Sequence, residues 1–242
     1  MRVPTIICFQ AKPNIRMLDM IKVHHLENSR SQRILWLLEE LALMYEIVSY
    51  KRDPVTMLAP DTLADIHPLG KSPLIVDGEL TVAESGAIIE YLVDRYGSGK
   101  GLRPEGREAR ISYTYWLHYA EGSLMPLLLM KLVFDRLAKP PMPLPMRPVA
   151  ALIASGVKAK FLNPRLTQHL DFVEGELARH KWFAGTEFSA ADIQMSFPLE
   201  AAAARADAGA SRPRISAFLE RIHARPAYRK ALKRGGPYAY AD

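Results

Sequence analysis

The chain has 242 residues, of which 49% are hydrophobic and 24% charged, so it can form a sizeable core in one large or two small domains. No apolar run approaches the roughly 18 residues of a membrane-spanning helix, and we expect no membrane partner. A net charge of +6 is too small and too evenly spread to indicate a nucleic-acid partner. The single cysteine, Cys8, excludes a disulfide framework and a cysteine-based metal cluster, and it favours a cytoplasmic location.

Residues 1–19 differ in pattern from the chain that follows. Pro4 and Pro13 interrupt them, and they lack the small-residue cleavage site of a secretory signal. Met20 opens a regular strand pattern. We therefore expect an N-terminal extension over 1–19 and a functional domain that begins at residue 20.

The next segment alternates between strand and helix periodicity. Residues 21–24 have a strand pattern, apolar residues from Ile34 to Leu41 recur at helical spacing, and residues 46–50 alternate again. This unit predicts two parallel strands joined by a right-handed crossover. Asp77-Gly78 between two short apolar runs predicts a hairpin, and a final helix is expected over 84–96.

The resulting order, βαβ, a short helix and then ββα, predicts a thioredoxin-like domain over residues 20–96. A glycine-rich linker is expected over 97–105. The remainder, 106–242, is predicted to be an all-helical bundle domain, so the fold class is α/β plus all-α. Its expected helices cover roughly 106–138, 149–157, 161–180, 190–208, 214–224 and 226–234, with an extended proline-rich excursion over 139–148.

Four motifs follow one another along this layout: His24 to Ser31, His67 to Pro73, Ala83 to Ile88, and Trp182 to Gly185 followed by Ser189 to Asp192. Together they resemble the cytosolic glutathione transferase family over nearly all of residues 20–242, in particular its bacterial and fungal branch. The resemblance implies a cytoplasmic, homodimeric detoxification enzyme. It implies glutathione as co-substrate, a small hydrophobic electrophile as second substrate, and no metal.

The resemblance also implies the residues that hold the peptide and the γ-glutamyl end of glutathione. Pro73 is expected to follow a cis peptide, so that the backbone of Ser72 pairs with the cysteinyl unit. Ser85 and the free N–H groups at a helix start suit the γ-glutamyl carboxylate, and Glu84 suits the ammonium group. The alternatives are a proline that only punctuates a loop and a serine that only caps a helix.

Two basic residues are candidates for the glycyl carboxylate. Lys71 directly precedes the proline turn, and Arg52 follows the second predicted strand. A loop lysine is often only solvated, so Lys71 is assigned from its place within the motif.

A hydrogen-bond donor is needed to stabilise the glutathione thiolate, because a free thiol titrates near pH ~8.5. The stretch between the first strand and the first helix offers Ser29, Asn28 and Ser31, and it contains neither tyrosine nor cysteine. We therefore expect a Ser/Asn-type site with Ser29 as first choice and Asn28 as alternative. Ser29 also matches a capping box with Gln32.

Aromatic residues near the start of the helical domain are candidates for the electrophile pocket. We assign it to Tyr113, Trp116 and Tyr119, although aromatics at helical spacing also pack in cores. Asp192, which forms a capping box with Ser189, is interpreted as a folding element and not as a catalytic group.

The predicted function is conjugation of glutathione to small hydrophobic electrophiles. Two alternatives remain open: glutathione-dependent peroxidase or isomerase activity, and a non-catalytic interaction module with the same fold. The set formed by Lys71, Pro73, Glu84 and Ser85 argues against the second, since a scaffold does not need those groups together.

Overall fold

The computed structural model describes residues 20–206 and 211–240. The extension predicted over 1–19 lies outside the described residues. None of the helices in the described ranges is long and apolar enough to cross a membrane.

The N-terminal half has the predicted thioredoxin-like layout. Its elements are β1 (Ile21–Leu26), α1 (Ser31–Glu40), β2 (Tyr45–Tyr50), a short 3₁₀ turn (Asp61–Asp65), β3 (Leu74–Asp77), β4 (Leu80–Ala83) and α2 (Ser85–Tyr96). The sheet order is β2-β1-β3-β4. β1 runs parallel to β2 and antiparallel to β3, and the predicted hairpin joins β3 to β4.

The burial of the strands agrees with their positions in the sheet. β1 is buried at five of its six positions, as a central strand covered on both faces should be. β4 is only partly buried and lies at the edge. Gly78, with φ of 60°, supplies the left-handed residue that the tight turn between β3 and β4 requires.

Residues 97–106 contain neither helix nor strand and lead into the helical domain. Its helices within the described residues are α3 (Arg107–Tyr119), α4 (Met125–Arg136), α5 (Arg147–Val157), α6 (Asn163–Arg179), α7 (Ala190–Ala206), α8 (Pro213–His223) and α9 (Pro226–Gly235). The fold class predicted from the sequence is therefore confirmed.

The helix predicted over 106–138 is interrupted by a wider π-helical turn at Ala120–Leu124. A second π turn, at Lys158–Leu162, joins α5 to α6. Each ends just before a proline, Pro126 in one case and Pro164 in the other. Proline cannot donate the backbone hydrogen bond to the residue four positions earlier and its ring crowds that carbonyl, so the preceding turn widens.

Asp192 organises the start of α7. Its carboxylate accepts the N–H groups of Phe183 and Ser189, both at 2.8 Å, and the Ser189 hydroxyl at 3.0 Å. The predicted reach of Asp192 back to Ser189 is present, and the serine hydroxyl donates to the same carboxylate. Burial raises the pKa of Asp192 to about 6 against these donors. This fully buried group joins the loop before α7 to the helix and does not face a ligand.

The two domains meet at a buried guanidinium group. Arg33 on α1 is 2% exposed and donates to the Gln194 carbonyl at 2.6 Å, to the Ser85 hydroxyl at 2.6 Å and to Glu121. Glu121 also accepts from Arg30 at 2.8 Å. Burial alone would raise the pKa of Glu121, but the two guanidinium groups hold it below its ordinary value.

Replacing Asp192 by alanine should lower the free energy of unfolding by about 2 to 4 kcal/mol, because three donors lose their acceptor. Denaturant unfolding measures this. The control, Glu220→Ala on the exposed side of α8, should change it by less than about 0.5 kcal/mol. Glutathione affinity of the folded fraction should stay the same, so a selective loss of affinity would contradict the structural role.

Replacing Glu121 by glutamine should lower the free energy of unfolding by about 3 kcal/mol, because the buried charge of Arg33 loses its counter-ion. In a double-mutant cycle, Arg33→Met and Glu121→Gln should be coupled by at least about 1 kcal/mol. The exposed Arg103–Glu90 pair, tested by Glu90→Gln, should contribute about 1 kcal/mol or less.

The same pair predicts an acid dependence. A carboxyl group whose pKa is depressed in the folded state stabilises the protein above its unfolded value, 4.5 for glutamate, and this contribution is lost as the pH falls through the lower folded value. The Glu121→Gln variant should lack this part of the acid dependence. Strict additivity in the cycle, or an unchanged acid profile, would contradict the coupling.

Candidate functional site

The turn before β3 is held against the end of β1. The Ser72 hydroxyl donates to the His24 carbonyl at 2.8 Å and accepts the Leu26 N–H at 3.3 Å. The peptide between Ser72 and Pro73 is cis, as the family resemblance implies. Lys71, next to this turn, is exposed. The predicted peptide-binding turn therefore lies beside the loop that carries the candidate thiol donors.

Helix α2 begins at Ser85, directly after the edge strand. Glu84 precedes it with φ of 66° and ψ of 122°, a conformation that costs a residue with a side chain on the order of 1–3 kcal/mol. The first N–H groups of a helix have no partner within the helix and carry partial positive charge. Since the Ser85 hydroxyl oxygen already accepts from Arg33, its own proton can be donated to an anion.

Asn28 occupies the loop between β1 and α1 with φ of 48°. Its Oδ1 accepts the backbone N–H of Ala239 at 2.7 Å. A backbone N–H can only donate, so the amide atom that faces it is the oxygen, and Nδ2 is directed elsewhere. Among the described residues no hydrogen-bond acceptor contacts Nδ2. The half-buried Asn28 therefore offers the two N–H bonds of its Nδ2 group as donors, in a fixed orientation.

Ser29 is 4% exposed, and its hydroxyl group points into the domain. Its Oγ lies 2.8 Å from Ser31 Oγ, which lies 2.8 Å from His25 Nδ1. Burial lowers the pKa of His25, although its bond to the Gly235 carbonyl opposes this. The first-choice thiol donor is thus part of a buried hydrogen-bonded chain.

The alternative role of Ser29, a capping box with Gln32, is not formed. Arg30 precedes α1 and makes no side-chain cap. Neither polar side-chain atom of the buried Gln32 has a hydrogen-bond partner in the described part of the chain. The Gln32 side chain packs beside Gly235 of α9, and the Ser29 hydroxyl accepts the N–H of Ser31 at 3.2 Å instead.

Arg52 lies beside the same loop. Its backbone N–H donates to Glu27 Oε1 at 2.8 Å, and its guanidinium donates to the carbonyls of Met57 at 3.0 Å and Asn28 at 3.5 Å. These bonds give Arg52 a role in holding the loop after β1. Any contact with a glycyl carboxylate has to coexist with them.

The three aromatic residues assigned to the electrophile pocket lie in the core of the helical domain. Tyr113 and Trp116 are each 2% exposed and Tyr119 is 6% exposed. Trp116 stacks on Phe172 with ring centroids 5.5 Å apart, and the Tyr119 hydroxyl lies 2.6 Å from His169 Nδ1. The structure thus packs all three inside the helical domain, as in the alternative interpretation.

Three residues near the site were not identified from the sequence. Arg33 falls four residues before Leu37 on the apolar face of α1, and a charge at such a position was a signal that it needs a buried partner. Glu121, its partner, follows an ordinary helical segment and gave no signal. Ala239 acts through its backbone N–H. Every residue other than proline has this group, so no signal in the sequence points to Ala239.

Known proteins share both halves of this arrangement. A model described as "Glutathione S-transferase, N-terminal domain" matches residues 18–94, and one described as "Glutathione S-transferase, C-terminal domain" matches residues 154–226. Glutathione S-transferase 3 of Schizosaccharomyces pombe is 39% identical, over 89% of this chain and 88% of its own. Glutathione S-transferase 1 of Saccharomyces cerevisiae is 37% identical, over 87% of this chain and 93% of its own.

Among solved structures, a glutathione S-transferase from Actinobacillus pleuropneumoniae superposes with a TM-score of 0.77. It is 34% identical in sequence, and the match covers 92% of this chain and 96% of that one. The likeness therefore extends over both domains in sequence and in structure. The chain belongs to the glutathione S-transferase family.

Proposed function

We propose that this chain transfers the glutathione thiolate to small hydrophobic electrophiles. The observation that carries the proposal is a set of three features: the start of α2 at the buried Ser85, the turn at Ser72 that is bonded to the end of β1, and the oriented amide of Asn28 in the loop after β1. Together they provide groups for a carboxylate, a peptide and a sulfur atom. The family supplies glutathione as co-substrate.

The charges of glutathione match the groups around this site. The γ-glutamyl carboxylate binds the Ser85 hydroxyl and the first N–H groups of α2, where the helix dipole favours an anion. The ammonium group binds the exposed Glu84. Lys71, with Arg52 as a second cation, binds the glycyl carboxylate. The backbone of Ser72 pairs with the cysteinyl unit, as the family resemblance implies.

Asn28 is the better-placed donor to the sulfur. The Ser29 residue is 4% exposed, and its hydroxyl lies 2.8 Å from the Ser31 hydroxyl and accepts the Ser31 N–H at 3.2 Å. The Asn28 amide is half-buried at the loop surface, and its Nδ2 is available as a donor. An N–H that donates to the sulfur favours the thiolate over the thiol and thus lowers the thiol pKa. We therefore place Asn28 first and keep Ser29 as the alternative.

The electrophile binds on the side of the site nearest the C-terminus. Tyr113, Trp116 and Tyr119 are buried, and the contacts recorded for Trp116 and Tyr119 are with other residues of the helical domain. The Phe197 and Tyr240 rings meet edge to face with centroids 5.6 Å apart, and Phe197 lies under the Arg30 guanidinium at 5.4 Å. Because Arg30 follows Asn28 by two residues, we place the hydrophobic substrate beside the half-buried Tyr240, which packs against the buried Phe197.

We also propose a cytoplasmic homodimer, as the family resemblance implies. The outer surfaces of α3 and α4 support this, because each has an i, i+4 pair of exposed apolar residues: Ile111 with Tyr115, and Leu129 with Val133. Exposed apolar side chains that lie together are typical of an interface.

The assignment of Asn28 as the donor to the thiolate predicts different activities for two alanine variants. Wild type should bind immobilised glutathione and conjugate it to an aromatic halide. Asn28→Ala should still bind glutathione but turn over at least about tenfold more slowly, since the thiolate loses a charge-assisted hydrogen bond. Ser29→Ala should keep at least about half of the wild-type kcat once its folded fraction is taken into account.

The outcomes separate the alternatives. If wild type is not retained on glutathione, the proposed function is wrong. Retention without turnover would indicate a binding module, and turnover of organic peroxides in preference to halides would indicate a peroxidase. If only Ser29→Ala loses activity while its thermal unfolding is unchanged, Ser29 and not Asn28 is the donor.

The dimer proposal predicts the mass of two chains in light scattering. Ile111→Asp together with Leu129→Asp should shift the mass toward one chain, because two charges would have to be buried at the interface. Val149→Asp on the exposed side of α5 is the matched control and should leave the mass unchanged. A single-chain mass for wild type at micromolar concentration would contradict the proposal.

A further inference from the structure

We propose that the C-terminal segment, residues 236–240, positions the thiol donor: the Ala239 N–H holds the Asn28 amide with its Nδ2 facing the glutathione sulfur. The proposal rests on the proposed function, in which Asn28 donates to the thiolate. It assigns a role in the N-terminal site to a segment that follows the last helix of the other domain. The bond that carries it is Ala239 N–H to Asn28 Oδ1, at 2.7 Å.

The segment is anchored on the helical domain on one side of Ala239. The Tyr238 hydroxyl donates to Glu200 Oε2 at 2.6 Å, and both residues are buried. Glu200 also accepts the Tyr228 hydroxyl of α9 at 2.6 Å. On the other side of Ala239, the Tyr240 ring packs on Phe197. Ala239 is therefore held between two side chains that are fixed on α7.

The path from the end of α9 to the loop that carries Asn28 is short because α9 packs closely on α1. A Cβ atom on Gly235 would lie 2.7 Å from Gln32 Oε1 and 2.9 Å from Leu35 Cδ1, so the backbone approaches the α1 side chains as closely as a glycine allows. Gly236 follows with φ of 84° and turns the chain toward the loop. The position of Ala239 is thus determined by contacts on both domains.

The orientation of the Asn28 amide matters because its two ends have opposite effects on a sulfur anion. The terminal torsion of asparagine is broad and roughly twofold, so a free amide presents either its N–H group or its carbonyl oxygen. The N–H group stabilises a thiolate and the carbonyl repels it. The Ala239 N–H can bond only to the carbonyl, so it selects the orientation in which the N–H group is left for the sulfur.

Two substitutions at one position test this in the full-length chain. Ala239→Pro removes the N–H donor, and Ala239→Gly keeps it. The readouts are the thiol pKa of bound glutathione, followed by the ultraviolet absorbance of the thiolate against pH, and kcat, KM and the glutathione Kd. We expect Ala239→Pro to raise the thiol pKa and lower kcat at neutral pH about threefold to tenfold, the effect of one hydrogen bond. Its Kd should stay within about twofold, and Ala239→Gly should match wild type.

A chain that ends at Tyr238 provides a second variant if proline disturbs the segment. It keeps the Tyr238–Glu200 anchor, and a chain that ends at Tyr240 is its control. The shortened chain should show the same rise in thiol pKa. Combining either change with Asn28→Ala should add no further rise, because the donor that the segment orients is already absent.

The measured thiol pKa values show which of the two proposals has failed. If Asn28→Ala raises the thiol pKa but Ala239→Pro and the shortened chain do not, the positioning role is overturned while the proposed function stands. Additive effects of Ala239→Pro and Asn28→Ala also overturn it. If Asn28→Ala itself leaves the thiol pKa unchanged, the catalytic assignment in the proposed function fails first.

Discussion

The Arg33 guanidinium carries a full charge in a place where water cannot reach it, and its neighbours have to compensate for that burial. A buried charge without a partner is among the most costly features a fold can contain. Its partners come from three separate elements: Glu121 between α3 and α4, the Gln194 carbonyl on α7, and Ser85 at the start of α2. The buried charge of the thioredoxin-like domain therefore finds its counter-ion only when the helical domain is docked.

This constraint connects the fold to the proposed glutathione site. Because Arg33 donates to the Ser85 oxygen, the rotation of that hydroxyl is restricted and its proton is free for an anion. The strained Glu84 stands directly before it. The helix start that we propose for the γ-glutamyl carboxylate is thus fixed by a contact between the domains, which reduces the ordering that a bound ligand would have to impose.

The helical domain also reaches the sulfur end of the site, by a different route. Glu39 on α1 accepts from Arg234 of α9 at 3.0 Å, and Glu40 accepts from Arg225 at 2.6 Å. These bonds hold α9 on α1, and the segment after α9 arrives at Asn28. An asparagine suits this position because it tolerates φ above zero better than most residues with side chains. Both ends of the site therefore depend on contacts between the domains.

Local sequence alone determined the element order of this protein. The alternation around β1 and β2, the Asp77-Gly78 turn and the helical spacing of α1 are properties of short segments, so propensity and periodicity were enough to predict them. The assignment of a peptide-binding turn at Pro73 came from the family resemblance and stays a prediction. Asp192 was also recognised as structural, since a capping box spans only four residues.

Tertiary structure alone decided which of these side chains are buried and which hydrogen bonds they make. Ser29 and Asn28 are adjacent in sequence, but the Ser29 hydroxyl is buried beside Ser31, whereas the Ala239 N–H orients the Asn28 amide. Tyr113, Trp116 and Tyr119 have the same helical spacing whether they line a pocket or a core, and the packing of α6 on α3 made them core. Contacts between residues far apart in the chain, such as Arg33 with Glu121 and Ala239 with Asn28, are set by how the domains dock, and no local pattern encodes them.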